Sequence, residues 1–114
     1  MNFHDELKLS IHHYVKLIYS LTRKYPKEEL YGITSQIRRA TLSIILNYIE
    51  GYARRKGENC KVYQNFLSIS YGSLKESKYL LFFSKDENYI TEYEYTKGLD
   101  LNDKIGRMLW GIMN

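Results

Sequence analysis

Proline is nearly missing: the 114-residue chain has one, Pro26, beside 7 glycines. Collagen-like, low-complexity and long disordered chains need runs rich in Pro, Gly or Ser, so those classes are excluded. A turn-rich β-sandwich fits poorly with one proline as well. Cysteine is as scarce. Cys60 stands alone, so no intrachain disulfide can form, as is usual in a reducing cytosol. Long apolar runs are missing too. The longest stretches without Asp, Glu, Lys or Arg are residues 40–49 and 62–74, well short of the roughly 20 apolar residues of a membrane span. Met1-Asn2-Phe3-His4-Asp5-Glu6 carries no basic region leading into an apolar core, so no signal peptide is expected. The expectation is a soluble cytoplasmic protein with no membrane partner.

Catalytic signatures are absent in the same way. There is no phosphate-binding loop and no dinucleotide-binding glycine fingerprint. A di-iron bundle needs Glu-x-x-His pairs on facing helices, and none occurs. The three histidines, His4, His12 and His13, lie close to the N-terminus. Adjacent His12 and His13 point in different directions and do not form a metal-ligand pair. Cys60 lies near basic residues, as a reactive thiol would, but a single cysteine at a helix start is more often incidental. No enzyme activity, metal or cofactor is expected.

What is present is a mild positive charge of +4 and a marked helical period. Residues 1–57 hold 10 Lys/Arg against 5 Asp/Glu, whereas residues 58–114 hold 7 against 8. The basic excess therefore belongs to the first half, and it favours anionic partners. Residues 44% hydrophobic and 26% charged make one ordinary globular domain spanning 1–114.

Four segments repeat apolar residues at three- and four-residue steps. The first covers about residues 4–22, with Leu7, Ile11, Tyr14, Val15, Ile18 and Leu21 on one face. Arg23-Lys24-Tyr25-Pro26-Lys27 ends it, because Pro26 disfavours helix at Tyr25. The second covers about 33–53. Ile33, Ile37, Ala40, Thr41, Ile44, Ile45, Tyr48 and Tyr52 make one broad face, and Leu42, Leu46, Ile49 and Ala53 extend it round the helix. Only Gln36, Arg39, Ser43, Asn47, Glu50 and Arg54 remain as a polar strip. A helix this apolar is buried on more than one side, which calls for a partner beyond the chain's own core.

Gly57-Glu58-Asn59 breaks the pattern, and a third helix covers about 60–84, with Tyr63, Phe66, Leu67, Ser70, Leu74, Ser77 and Leu81 along one side. Gly72 within it costs about 1 kcal/mol relative to Ala, and close approach of a neighbouring helix would compensate. Lys85-Asp86-Glu87-Asn88 reads as a turn. Thr91-Glu92-Tyr93-Glu94 matches a capping box that opens a fourth helix running to about Met113. Gly98 and Gly106 predict fraying towards its end. The fold class is all-α, an antiparallel up-down-up-down four-helix bundle.

The stretch Pro26-Lys27-Glu28-Glu29-Leu30-Tyr31-Gly32-Ile33-Thr34-Ser35-Gln36-Ile37-Arg38-Arg39-Ala40, with Asn47, Glu50 and Gly51, then Phe66-Leu67 and Gly72-Ser73-Leu74 followed by Glu76, resembles one bacterial family. These are small four-helix-bundle proteins encoded within intervening sequences of 23S ribosomal RNA genes. The sequence departs from the family pattern at Ile45, where a proline is usual, at the bulky Tyr48 and Ile49, and at Lys78, where an acid is common. The missing proline predicts a straighter second helix. The resemblance implies a four-helix bundle that forms a ring, a homopentamer, and that associates with structured RNA or the ribosome.

The candidate nucleic-acid contacts are Arg38, Arg39, Arg54, Arg55, Lys56 and Lys61, since phosphate recognition needs cations able to make paired hydrogen bonds. Repeated round a ring, they would make a strongly positive surface. The plainer reading is that Arg54-Arg55-Lys56 complements the helix C-terminus. Asn47, Glu50, Gly51 and Gly72 are the candidate interface residues. Arg39 and Glu50 are about 16 Å apart along the helix, so they could pair only between helices or subunits, as part of a buried polar set that fixes register. Of the 12 tyrosines, Tyr14, Tyr48 and Tyr63 sit on core faces, whereas Tyr31, Tyr52 and Tyr89 are expected to be exposed and open to partners. The expected function is a non-enzymatic oligomeric bundle that binds structured RNA through its basic surface. The alternative is an oligomeric protein-interaction scaffold with no nucleic-acid contact.

Overall fold

Side-chain caps open the first and last helices of the chain. The computed structural model describes residues 1–56 and 60–114; the expected break at Gly57-Glu58-Asn59 lies outside them. Asn2 accepts a hydrogen bond from the Asp5 N–H at 2.8 Å and opens α1, Phe3–Thr22. Pro26 follows the end of α1, and a single 3-10 turn, Lys27–Glu29, leads to Gly32. Helix α2 is Ile33–Arg54, unbroken through Ile45. Helix α3 is Lys61–Asp86, ending two residues later than the periodicity predicted. This end is held by Lys85, whose ammonium lies over the Phe82 and Tyr95 rings and faces Glu92 at 3.7 Å. Asn88 then turns the chain at φ 63, a left-handed conformation that asparagine tolerates. Helix α4 is Glu92–Met113, and the Thr91–Glu94 capping box is present in both directions.

The four helices pack as an all-α bundle in which each lies alongside two neighbours, in the closed order α1, α2, α3, α4. Paired residues give the directions. On α2 and α3, Ile44 meets Ser70 while Gly51 meets Phe66. On α3 and α4, Leu74 meets Asn102 while Leu81 meets Gly98. On α1 and α4, Tyr14 meets Asn102 while Lys24 meets Glu94. On α1 and α2, His4 meets Tyr48 while Thr22 meets Arg38. Numbers rise on one helix as they fall on its neighbour, so neighbouring helices run antiparallel.

The core collects the apolar stripes. Leu7, Ile11, Tyr14 and Ile18 come from α1, Ile37, Ile44 and Tyr48 from α2, Leu67, Leu74 and Leu81 from α3, and Ile105 and Leu109 from α4. Each large apolar side chain so buried contributes about 1.5–3 kcal/mol. The small α3 residues on this face are satisfied locally. Ser70 donates to the Ile44 carbonyl at 2.7 Å, and Ser77 and Ser84 donate to the carbonyls of Leu74 and Leu80.

Glycine placement differs from expectation. Gly72 faces open space, with nothing near where a Cβ would stand, so it answers to no close helix contact within the chain. The close approach is at Gly51, where an added Cβ would lie 2.6 Å from the Phe66 Cβ, and at Gly98, where it would lie 3.0 Å from Leu81. Gly98 is thus a packing residue, and α4 continues through it and Gly106 to Met113.

Candidate functional site

Helix α2 positions most of the candidate residues, and its length separates them. Arg38 and Arg39 lie near its start and Arg54 at its end, 15 or more residues apart. At about 1.5 Å per residue that is more than 20 Å. The six cations expected to form one basic surface are therefore two groups. At the first, Arg38 is held inside the fold: its Nε donates to Thr22 Oγ1 at 2.8 Å, and its guanidinium lies over the Tyr19 ring. It bridges α1 and α2 and is half-buried, whereas Arg39 is exposed.

The second group is at the α2–α3 junction. Arg54 pairs with Glu50 at 2.6 Å, one helical turn away, and covers the Phe66 ring. Arg55 stacks over Tyr52 at 4.0 Å. Lys56 and Lys61 are exposed. Among the described residues, none of Arg55, Lys56 and Lys61 meets a carboxylate within ion-pair distance. Exposed ion pairs such as Arg54–Glu50 contribute roughly 0–1 kcal/mol, so this end keeps its positive field.

The expected buried polar set takes a different form. Glu50 is exposed and answers Arg54, and Arg39 does not reach it. Asn47 is half-buried and donates to the Ser43 carbonyl and hydroxyl, and Ser43 shares a 2.7 Å hydrogen bond with Ser73 of α3. The i, i+4 spacing of Glu50 and Arg54 was the available signal for this pair. Gly51 is buried against α3 and Gly72 is exposed.

Beside the polar strip, Leu42, Leu46 and Ile49 are 36%, 60% and 46% exposed. With Ala53 they run i, i+4, i+7, i+11 along the side of α2 turned away from the core. Leu30 and Tyr31, 49% and 92% exposed, continue this surface. Together with Tyr19, Arg39 and Asn47 they border an open groove of about 650 Å³. Apart from its polar strip the helix is apolar on more than one side, as its sequence indicates, but the chain's own core does not cover this outer stripe.

Two features escaped the sequence reading. His4 Nδ1 is 2.6 Å from the Tyr48 hydroxyl, and its ring stacks on Tyr52 at 3.6 Å. Tyr52 and Tyr89 are accordingly half-buried rather than exposed; Tyr89 donates to Glu29 at 2.7 Å. Only Tyr31 of the three stands in solvent. The second is Asn102, 1% exposed, which donates to Tyr14 Oη at 3.0 Å and to the Leu74 carbonyl at 3.1 Å. Its position in the apolar stripe of α4, three residues before Ile105, was the signal for its burial.

Cys60 occupies the cap position of α3. Backbone N–H groups, Tyr63's foremost, hold its thiol below the ordinary range. Among the described residues, no three His, Cys, Asp or Glu side chains converge to hold a metal ion. No helix among the described residues is long and apolar enough to cross a membrane.

Comparison with known proteins adds two matches. Residues 7–111 match the family model described as 23S rRNA-intervening sequence protein. A crystal structure of a protein of unknown function from the S23 ribosomal protein family of Bacteroides thetaiotaomicron superposes with a TM-score of 0.84 at 21% identity. The superposition covers 95% of this chain and 98% of that one, and at this identity the likeness is one of fold. No curated protein matches the chain.

Proposed function

We propose, from the premise that this chain belongs to the 23S rRNA-intervening sequence protein family, that it is a non-enzymatic bundle that assembles with copies of itself and associates with structured RNA. The observation that carries this reading is the outer side of α2. Leu42, Leu46 and Ile49 form a continuous exposed stripe on α2, and exposed apolar stripes rimmed by polar residues mark interaction surfaces. A second copy of this chain is an occupant of matching apolar character. In a closed ring, with five subunits as the family resemblance implies, the stripe of each subunit would be covered by a different surface of the next.

Assembly multiplies the charge. One protomer carries +4, and the Arg55, Lys56 and Lys61 end of each subunit would repeat around a ring. Phosphate-lined RNA is the partner that such a repeated cationic edge attracts, through release of counterions. The cytosol holds such RNA.

The test is twofold. Light scattering at micromolar concentration should give a mass several times 13.6 kDa. Binding to a structured ribosomal RNA fragment should weaken steeply with salt and weaken at least about tenfold when Arg54, Arg55 and Lys56 become Ala, since each phosphate contact adds to the salt slope. A monomer overturns the assembly. Salt-independent binding, or none at low salt, overturns the RNA contact and leaves a protein-binding scaffold.

A further inference from the structure

On the opposite side of α3 from the α2 contacts, a cleft of about 350 Å³ opens between α3 and α4. Its size falls in the small-ligand range, roughly 300–1,000 Å³. Tyr71 and Lys75 come from α3; Asn102, Gly106, Arg107 and Trp110 come from α4. We propose that this cleft binds an unpaired nucleotide, its base on the aromatic wall and its phosphate on the two cations.

The wall is the Tyr71–Trp110 pair, with ring centroids 5.6 Å apart. Trp110 is 54% exposed, so a flat face of the largest apolar side chain in the protein stands open to a stacking partner. Base–aromatic stacking contributes about 1–3 kcal/mol per base.

The charge at the rim is positive. Lys75 Nζ is 5.1 Å from the Tyr71 ring centroid, which holds the ammonium at the edge of the cleft. Arg107 is exposed and meets no carboxylate within ion-pair distance among the described residues. The one acidic residue here, Asp103, is engaged by Lys78 at 3.0 Å. Two cations therefore remain for an anion.

The base of the cleft supplies direction. Asn102 is 1% exposed, and its amide orientation is set by donation to the Leu74 carbonyl, which can only accept. Its Nδ2 also serves Tyr14 Oη, while its Oδ1 has no donor among the described residues. An acceptor left open in a cleft wall suits the exocyclic amino group of adenine or cytosine. A flat apolar ring, an amino donor and a phosphate together describe a nucleotide.

This deepens the RNA reading through a different surface. Lys75 lies 14 residues along α3 from Lys61, about 21 Å by helix rise. The basic α2 end would meet duplex phosphates, and the cleft an unstacked base of a loop.

Trp110 is the single tryptophan, so fluorescence excited selectively at tryptophan reports on this cleft. Titration of the full chain with single-stranded oligoadenylate should quench it saturably. Arg107→Ala should weaken that binding and flatten its salt dependence, and Tyr71→Ala should weaken it about 5- to 150-fold. Trp110→Ala, followed by anisotropy of labelled oligonucleotide, should lose affinity to the same extent. If adenosine monophosphate quenches as tightly as the oligomer, the ligand is a free nucleotide; if only the oligomer does, it is an RNA strand. No quenching, or quenching unchanged in Arg107→Ala and Tyr71→Ala, overturns the proposal. Loss of structured-RNA binding in the Arg54, Arg55, Lys56 variant with oligomer quenching intact supports both, as two separate surfaces require. The cleft fails alone if structured RNA binds that basic end while the single strand leaves Trp110 unquenched.

Discussion

Gly51 of α2 lies directly against Phe66 of α3, so close that a methyl group on Gly51 would sit 2.6 Å from the Phe66 Cβ and 3.3 Å from Tyr63. The close approach of the two helices here is therefore made possible by a missing side chain, beside the basic end of α2. Gly72, in the middle of α3, has nothing within reach of such a methyl. The two glycines share a helical setting and differ in neighbours. Gly51→Ala should cost about 1–3 kcal/mol through overpacking. Gly72→Ala should stabilise by up to about 1 kcal/mol through helix propensity. Urea midpoints of the two variants check this, and equal shifts of the same sign would refute it.

Asn102 ties three helices together through Tyr14 and the Leu74 carbonyl. Asn102→Ala should cost about 1–3 kcal/mol, because it strands buried acceptors. Asn102→Asp should cost more, since a carboxylate would face the Leu74 carbonyl. Denaturant unfolding followed by circular dichroism measures both.

The same cluster makes stability depend on alkaline pH. Burial pushes the Tyr14 phenol up to about 12, against the opposing pull of its hydrogen bonds to Ser77 and Asn102. An unfolded tyrosine loses its proton near 10. The contribution from Tyr14 is thus fully present below about pH 10 and is lost as pH rises to about 12. Tyr14→Phe should show a smaller fall in unfolding free energy over that interval, and an identical fall would count against it.

At the other end of the pH scale, burial first and then Lys8 hold the His4 imidazole below 6.5, with Arg55 adding to the effect and Asp5 opposing it. The neutral ring can accept from the Tyr48 hydroxyl. The unfolded chain therefore takes the proton first as pH falls. The stability that His4 contributes is complete above about pH 6.5 and declines as pH drops through its folded value. An NMR titration of the His4 ring should give a midpoint below 6.5; one at or above it would exclude this account.

Leu46 is 60% exposed on the outer stripe of α2. Leu46→Glu should leave the thermal unfolding of the protomer near wild type and raise the dissociation constant of the proposed assembly by more than about 100-fold, because an unpaired charge in an interface costs several kcal/mol. Tyr93→Glu, on the exposed surface of α4, should leave the mass unchanged. Light scattering distinguishes the two, and equal effects would count against an interface on the α2 stripe.

The amino-acid sequence by itself determined the helices. One proline, a 3.6-residue apolar period and the Thr91–Glu94 box act within a turn or two of chain, so they can be read locally. The apolar girth of α2 was legible for the same reason. Only the tertiary structure decided which glycine admits a neighbour, because Gly51 and Gly72 look alike until α3 and α2 are placed side by side. It also decided that Arg38 belongs to the packing, held by Thr22 and Tyr19 across the α1–α2 contact. The cleft of Tyr71, Lys75, Arg107 and Trp110 exists for a like reason. Its walls come from separate helices, and distances between helices depend on how side chains fill the space between them, which no local period encodes.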